Sequence, residues 1–338
     1  MHNTLYYNKY LNYKRKYLEL QKAGNPKDII SKLPNDAQSQ VLKFLNLADV
    51  TKLSGTSPDN LQVTQNYRNC DLYSVDIDLQ IWRKKFPNVP CITITNRDDL
   101  TDADFQYLRG IKKMFISACT QITDNAFKYL DSLKILIITN SDFTDDAFQY
   151  LTELEELCIF NCMNLTDNIF MFLPNLKKIS LLGLTNITDN AFQYLTKLDD
   201  LTISECNRLT NNAFVHLTNL KRLSFANCEN ITNVAFHNLT NLEELEIILC
   251  EQFSDNAFKH LNNLKKLNIR KCREPGPFPI GNDNITDAAF LNLTNLEELK
   301  INRCSQITAN VFDNLKKLKK LHIEDCLYES ISFKNYRY

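Results

Sequence analysis

Apolar residues fall on a fixed beat along most of this chain. In the stretch 220–239, Leu220, Leu223 and Phe225 are followed by Cys228, Ile231 and Thr232, then by Ala235, Phe236 and Leu239. Written as L-x-x-L-x-[IF]-x-x-C-x-x-I-[TS]-[DN]-x-A-F-x-x-L, this pattern recurs about ten times. Its phenylalanine marks the period at Phe105, Phe127, Phe148, Phe170, Phe192, Phe214, Phe236, Phe258, Phe290 and Phe312. The spacing is 22 residues, except for 21 before Phe148 and 32 before Phe290. A fixed period of this length predicts a solenoid, in which each unit buries its apolar face only against its neighbours.

Within a unit, Leu223 and Phe225 alternate with Arg222, Ser224 and Ala226, which predicts a short strand with its apolar pair inside. Successive strands should stack in parallel about 4.8 Å apart, an arc of about 50 Å for eleven of them. The Thr or Ser of each repeat, such as Thr188 or Ser254, is placed to cap a short helix. The Asp that usually follows is favourable beside the positive helix end. Ile231 and Phe236 flank the cap as a hydrophobic staple.

The text L-x-x-L-x-L-x-x-N/C resembles the leucine-rich-repeat signature. That resemblance implies an α/β leucine-rich-repeat solenoid, with a parallel sheet on the concave face and short helices on the convex face. Outward strand positions would line the concave face, the usual binding surface of such solenoids. There the sequence places Phe115, Ile137, Phe160, Leu182 and Ile248, and farther on the basic residues Arg270, Lys271, Lys300 and Arg303. Large apolar residues at solvated positions suggest an interaction patch, and the basic group could steer an acidic segment of a substrate protein. The alternative is that a tail or the N-terminal helix folds over this face.

Five parts are expected along the chain. Residues 1–24 carry tyrosines and lysines at helical spacing up to the stop signal Gly24-Asn25-Pro26. That helix would either bind a partner or dock on its own protein; its text resembles a leader common in proteins of mimivirus-like giant DNA viruses. Residues 28–57 read as a small helical hairpin with Leu33, Pro34, Val41, Leu42, Leu45, Val50 and Leu53 on its apolar side. Together with Phe44 and Asp49, these residues match the F-box pattern in register. Departures are Asp36 for glutamate, Ala37 for a larger apolar residue and Leu47 for the frequent proline. Residues 58–88 form a connector and N-terminal cap, with a helical pattern at Leu79, Trp82 and Phe86 ended by Pro87. The repeats occupy 89–326, and 327–338 would cap the far end. The F-box resemblance implies docking on a Skp-family adaptor of a cullin–RING ubiquitin ligase, with the repeats holding a substrate protein. A stand-alone leucine-rich-repeat scaffold or inhibitor is the other reading.

Composition narrows the field further. A formal net charge of −1 over 338 residues gives no global bias toward nucleic acid or membrane. No apolar run is long enough to span a bilayer, and the N-terminus lacks a signal-peptide core, so an intracellular protein is expected. Six N-x-T sequons, at Asn164, Asn186, Asn230, Asn238, Asn284 and Asn292, arise from the repeat text and would then stay bare. Cys119, Cys162, Cys206, Cys228, Cys250, Cys272, Cys304 and Cys326 share one repeat position; Cys70, Cys91 and Cys158 do not. One thiol per rung makes a line rather than a metal cluster, so buried reduced thiols are expected, nearly all eleven titrating as free. His216 and His260 lie two repeats apart, too far to share a metal, and no nucleophile–base pair can be placed. No enzyme activity and no cofactor are expected. The ten-residue excess 273–282, with Phe278 among prolines, is either a contact loop or tolerated loop growth.

Overall fold

The computed structural model describes residues 77–249, 252–270, 284–302 and 306–324. The chain divides into two compact units, residues 1–133 and 134–338. In the first, the helical pattern before Pro87 folds as α1 (Leu79–Lys85), capped by Asp78 accepting from the Ile81 amide at 2.9 Å. Leu79, Trp82 and Phe86 are fully buried. Arg83 ties the helix to the first repeat, donating to the carbonyls of Tyr107 at 2.7 Å and Pro87 at 3.1 Å. Behind it, β1 (Cys91–Thr95) and β2 (Lys113–Ser117) pair in parallel, each followed by a 3-10 segment, Asp102–Leu108 and Asp124–Tyr129.

The second unit repeats one motif. Its strands are β3 (Ile135–Thr139), β4 (Glu156–Phe160), β5 (Lys178–Leu182), β6 (Asp200–Ser204), β7 (Arg222–Ala226), β8 (Glu244–Ile248), β9 (Lys266–Arg270), β10 (Glu298–Asn302) and β11 (Lys320–Glu324). They pair in parallel in chain order, residue for residue, so Leu157, Ile179, Leu201 and Leu223 form one buried column and Ile159, Leu181, Ile203 and Phe225 another. The core closes with Ala191, Phe192, Leu195 and Leu198 and their equivalents, all four at most 2% exposed.

The leucine-rich-repeat architecture is therefore present, with one refinement. The segments opposite the sheet are 3-10 turns of four to seven residues rather than α-helices. Phe192, Leu195 and Leu198 explain why: their spacing of three matches the three-residue turn, and Leu195 and Leu198 each donate to the carbonyl three residues back.

Three further ladders tie rung to rung. Among the described thiols of the cysteine column, Cys162 donates to the Phe160 carbonyl and Cys206 to the Ser204 carbonyl of its own rung, both at 3.3 Å. Cys119 and Cys206 also reach the Ile94 and Leu181 carbonyls of the preceding rung, at 3.9 and 3.8 Å. Ser141 replaces the cysteine in one rung and donates to Thr139 in the same way at 2.9 Å. Burial holds the thiols of Cys119, Cys162 and Cys206 above the usual range, so they stay protonated. Cys91 departs from the expected reduced thiols: it is disulfide-bonded.

Second, the chain leaves most strands through a left-handed residue. Asn140, Asn161, Gly183 and Asn227 suit that conformation, whereas Ala118, Glu205 and Leu249, at φ 48°, 55° and 54°, are strained exceptions, and Leu249 is 39% exposed. A Cβ on Gly183 would lie 2.7 Å from the Asn161 side-chain oxygen. Third, amide side chains donate to backbone carbonyls of the preceding rung. Asn164, Asn186 and Asn230, three of the sequon residues, do so at 3.0, 2.6 and 2.7 Å.

The largest revision concerns the Asp after the cap. Asp189 accepts from both the amide and the hydroxyl of Thr210 on the next rung, at 2.8 and 2.6 Å, and Asp145, Asp167, Asp255 and Asp287 repeat this clamp. It frees the threonine oxygen to accept in turn from its own turn, as from the Asn212 amide at 3.2 Å. Where Asn replaces Asp, the arrangement inverts. Asn211 and Asn233 accept from the next backbone amide, so their NH2 groups face the hydroxyls of Thr232 and Ser254 at 2.9 and 2.8 Å. Those hydroxyls, now used as acceptors, cap nothing, which corrects the expectation of a cap in every repeat.

Candidate protein-binding face of the sheet

Each strand turns its first, third and fifth residues to solvent, so the register builds three columns on the face of the second unit. The amino-terminal end of this face is apolar. Ile135 and Ile137 of β3 lie beside Glu156 and Cys158 of β4, and Phe160 pairs directly with Leu182 of β5. All of these are half-buried. Beyond them the face turns small and polar through Ser180, Thr202, Ser204 and Ala226.

A hydrogen-bonded network spans β7–β9. Glu246 accepts from Ser224 at 3.0 Å and Asn268 at 2.6 Å, and from the Arg270 guanidinium. Ser224, Glu246 and Asn268 stand 22 residues apart, so the repeat period alone could have placed them together. The oxygen of Asn268 is buried without a hydrogen-bond partner. Lys300 on β10 turns back to Glu298 on its own strand at 3.0 Å.

The predicted contact residues thus separate into groups. Phe160 and Leu182 touch in register, with Ile137 diagonal to Phe160. Ile248 pairs with Arg270 and stands apart from Leu182 by the Ser204 and Ala226 rungs. Phe115 is half-buried on β2 of the first unit. Arg270 and Lys300 each face a carboxylate. Lys271 and Arg303 lie outside the described residues, as do Leu33, Pro34, Val41, Leu42, Leu45, Val50 and Leu53, the 273–282 insertion and the tail.

The edge where the strands begin is lined with ion pairs: Lys177–Glu155 at 2.6 Å, Lys265–Glu243 at 2.7 Å, Lys266–Glu244 at 2.7 Å and Lys319–Glu297 at 2.6 Å. Lys177 and then Lys134 hold the Glu155 carboxyl below its usual range, and Lys265 and Lys319 do the same for Glu243 and Glu297. Carboxylates depressed in the folded state stabilise it above the unfolded glutamate pKa, about 4.3, and lose that contribution as pH falls through the folded values. The melting temperature should therefore hold steady down to about pH 5 and fall toward about pH 3. Scanning calorimetry should find the acid-induced drop smaller in about 0.5 M NaCl, because these pairs are exposed and screened. A drop of equal size at both salt concentrations would mean that other carboxylates cause it.

Among the described residues no group of three or more His, Cys, Asp or Glu is placed to hold a metal, and no helix is long and apolar enough to cross a membrane. His237, not His216, approaches His260, with ring centroids 5.1 Å apart.

The sequence matches the BspA-type leucine-rich-repeat region in six copies, over residues 64–155, 163–276 and 276–337. No curated protein sequence matches it. Solved structures of similar fold include TLR13 in complex with ssRNA13, at a TM-score of 0.52 and 19% identity over 87% of this chain and 52% of that one. The Toll–Spatzle complex of Drosophila gives 0.51 and 18%, over 71% of this chain and 40% of that one. The chain thus spans about half the length of these two matched chains or less. The Rad7–Elc1 complex of yeast gives 0.52 and 18%, over 92% of this chain and 91% of that one. At these identities the likeness is one of fold.

Proposed function

Because this chain belongs to the BspA-type leucine-rich-repeat family, we propose that it is a non-enzymatic recognition subunit that holds a protein on its sheet face. We further propose that residues 28–57 dock it, through Leu33, Pro34, Val41, Leu42, Leu45, Val50 and Leu53, on a Skp-family adaptor of a cullin–RING ubiquitin ligase. Chemistry then belongs to the partner enzymes, and this chain raises the substrate's effective concentration beside them. The observation that carries the binding role is the apolar end of the face, where Ile135, Ile137, Phe160 and Leu182 occupy positions that solvated strands give to polar side chains. The ligase link is supported by the F-box-like text. A solved structure that matches over 92% of this chain is itself a complex of two proteins, Rad7 and Elc1.

Affinity purification with mass spectrometry tests both halves. Leu42→Ala with Leu45→Ala should remove adaptor and cullin peptides at least about 30-fold, the loss expected for truncated interface anchors. Phe160→Ala with Leu182→Ala should release the substrate faster and leave the adaptor bound. If the unaltered chain brings down substrate but no adaptor, it is a scaffold without a ligase. If the Phe160 and Leu182 pair changes no capture, the partner binds elsewhere.

A further inference from the structure

From β4 onward, the two residues at the start of each strand share a sign within a rung and reverse it on the next. The order runs Lys134, Glu155–Glu156, Lys177–Lys178, Asp199–Asp200, Lys221–Arg222, and continues without a break to Lys319–Lys320. Register sets each pair against its opposite: Glu156 faces Lys178, Lys178 faces Asp200, and Asp200 faces Arg222. Ion pairs form across these steps, including Lys178–Asp200 at 3.2 Å, Arg222–Asp200 at 3.0 Å and Lys320–Glu298 at 3.5 Å. The alternation tracks spatial rungs rather than sequence spacing. It survives the 32-residue interval between Lys266 and Glu298, which still pair in register.

The buried face carries no such order. Its leucines, isoleucines and phenylalanines are nearly interchangeable from rung to rung, so apolar packing alone would let almost any rung stack on any other. Among the described residues, the charged edge is what distinguishes odd rungs from even ones. We propose that this edge is a register code: the stacking unit is a pair of rungs, one acidic and one basic, and contacts between rungs of the same sign are rejected. Such repulsion works against wrong arrangements rather than for the right one, and near-identical repeats need it most.

Two deletions separate the code from mere length. Removing residues 199–220 places Lys221–Arg222 beside Lys177–Lys178, whereas removing residues 199–242 places Glu243–Glu244 there. We expect the longer deletion to melt cooperatively and several degrees above the shorter one, although it loses twice as much stacked chain. In about 1 M NaCl, where the screening length is about 3 Å, the two should converge. In the full-length chain, Asp199→Lys with Asp200→Lys should melt several degrees below Asp199→Gln with Asp200→Gln at low salt, and together with it at high salt. This comparison stands even if neither deletion folds. The proposal fails if, at low salt, the shorter deletion melts at or above the longer, or the reversed and neutral variants melt together.

Discussion

Phe192→Ala should cost about 3–5 kcal/mol, the range for removing a buried aromatic ring from a packed core. Phe192 is fully buried, on a turn whose equivalents in the preceding and following rungs place Phe170 and Phe214, also buried. The cavity would therefore open in the line of rings that holds successive turns together, and a solenoid has no second core to compensate. Against a total stability of about 5–15 kcal/mol, the loss should lower the melting temperature by roughly 10 °C. Gln193→Ala, one residue on and exposed, should stay within about 0.5 kcal/mol. Urea denaturation followed by circular dichroism measures both; equal midpoints would mean that the rings contribute no packing.

Asp189→Ala should be nearly as damaging, although nothing in the local text marks it as more than a helix-end charge. The substitution strips the amide and hydroxyl of Thr210 of their acceptor, and hydrogen bonds to an ionised group contribute about 1.5–3 kcal/mol each. A loss of about 2–4 kcal/mol is expected, against about zero for Asp142→Ala, whose exposed side chain lies outside the clamp. The converse substitution, Asn211→Asp, should gain about 1 kcal/mol, because it lets the Thr232 hydroxyl donate backward and cap its own turn. If Asn211→Asp is neutral while Asp189→Ala is costly, the clamp matters and the released cap does not.

The clamp shows where sequence reasoning stops. Strand alternation and the period place Leu201 and Ile203 inside and Thr202 outside, because burial direction is a local property of a strand. The spacing of Phe192, Leu195 and Leu198 even carries the three-residue turn, legible once period three is weighed against 3.6. Asp189 and Thr210 are 21 residues apart, and the local rule for acidic residues at helix starts already accounts for each one, so nothing in the text demands the longer bond. The sheet face was legible as a set of outward residues. Their electrostatic state was not: Arg270 looks like a free cation until register brings Glu246 beside it.

The cysteine column gives this chain a built-in clock for four of its rungs. Cys119, Cys162, Cys206 and Cys228 are buried, not disulfide-bonded, and report from different positions along the repeats. Only a thiolate reacts with an alkylating reagent, so a protonated, buried thiol must first be uncovered. The labelling rate of each cysteine under native conditions therefore counts how often its own rung opens. Rungs around Cys228, next to the uncapped turns headed by Thr232 and Ser254, should label before those around Cys162 and Cys206. Mass spectrometry of the unmodified protein would thus trace where the array frays, with no introduced probe.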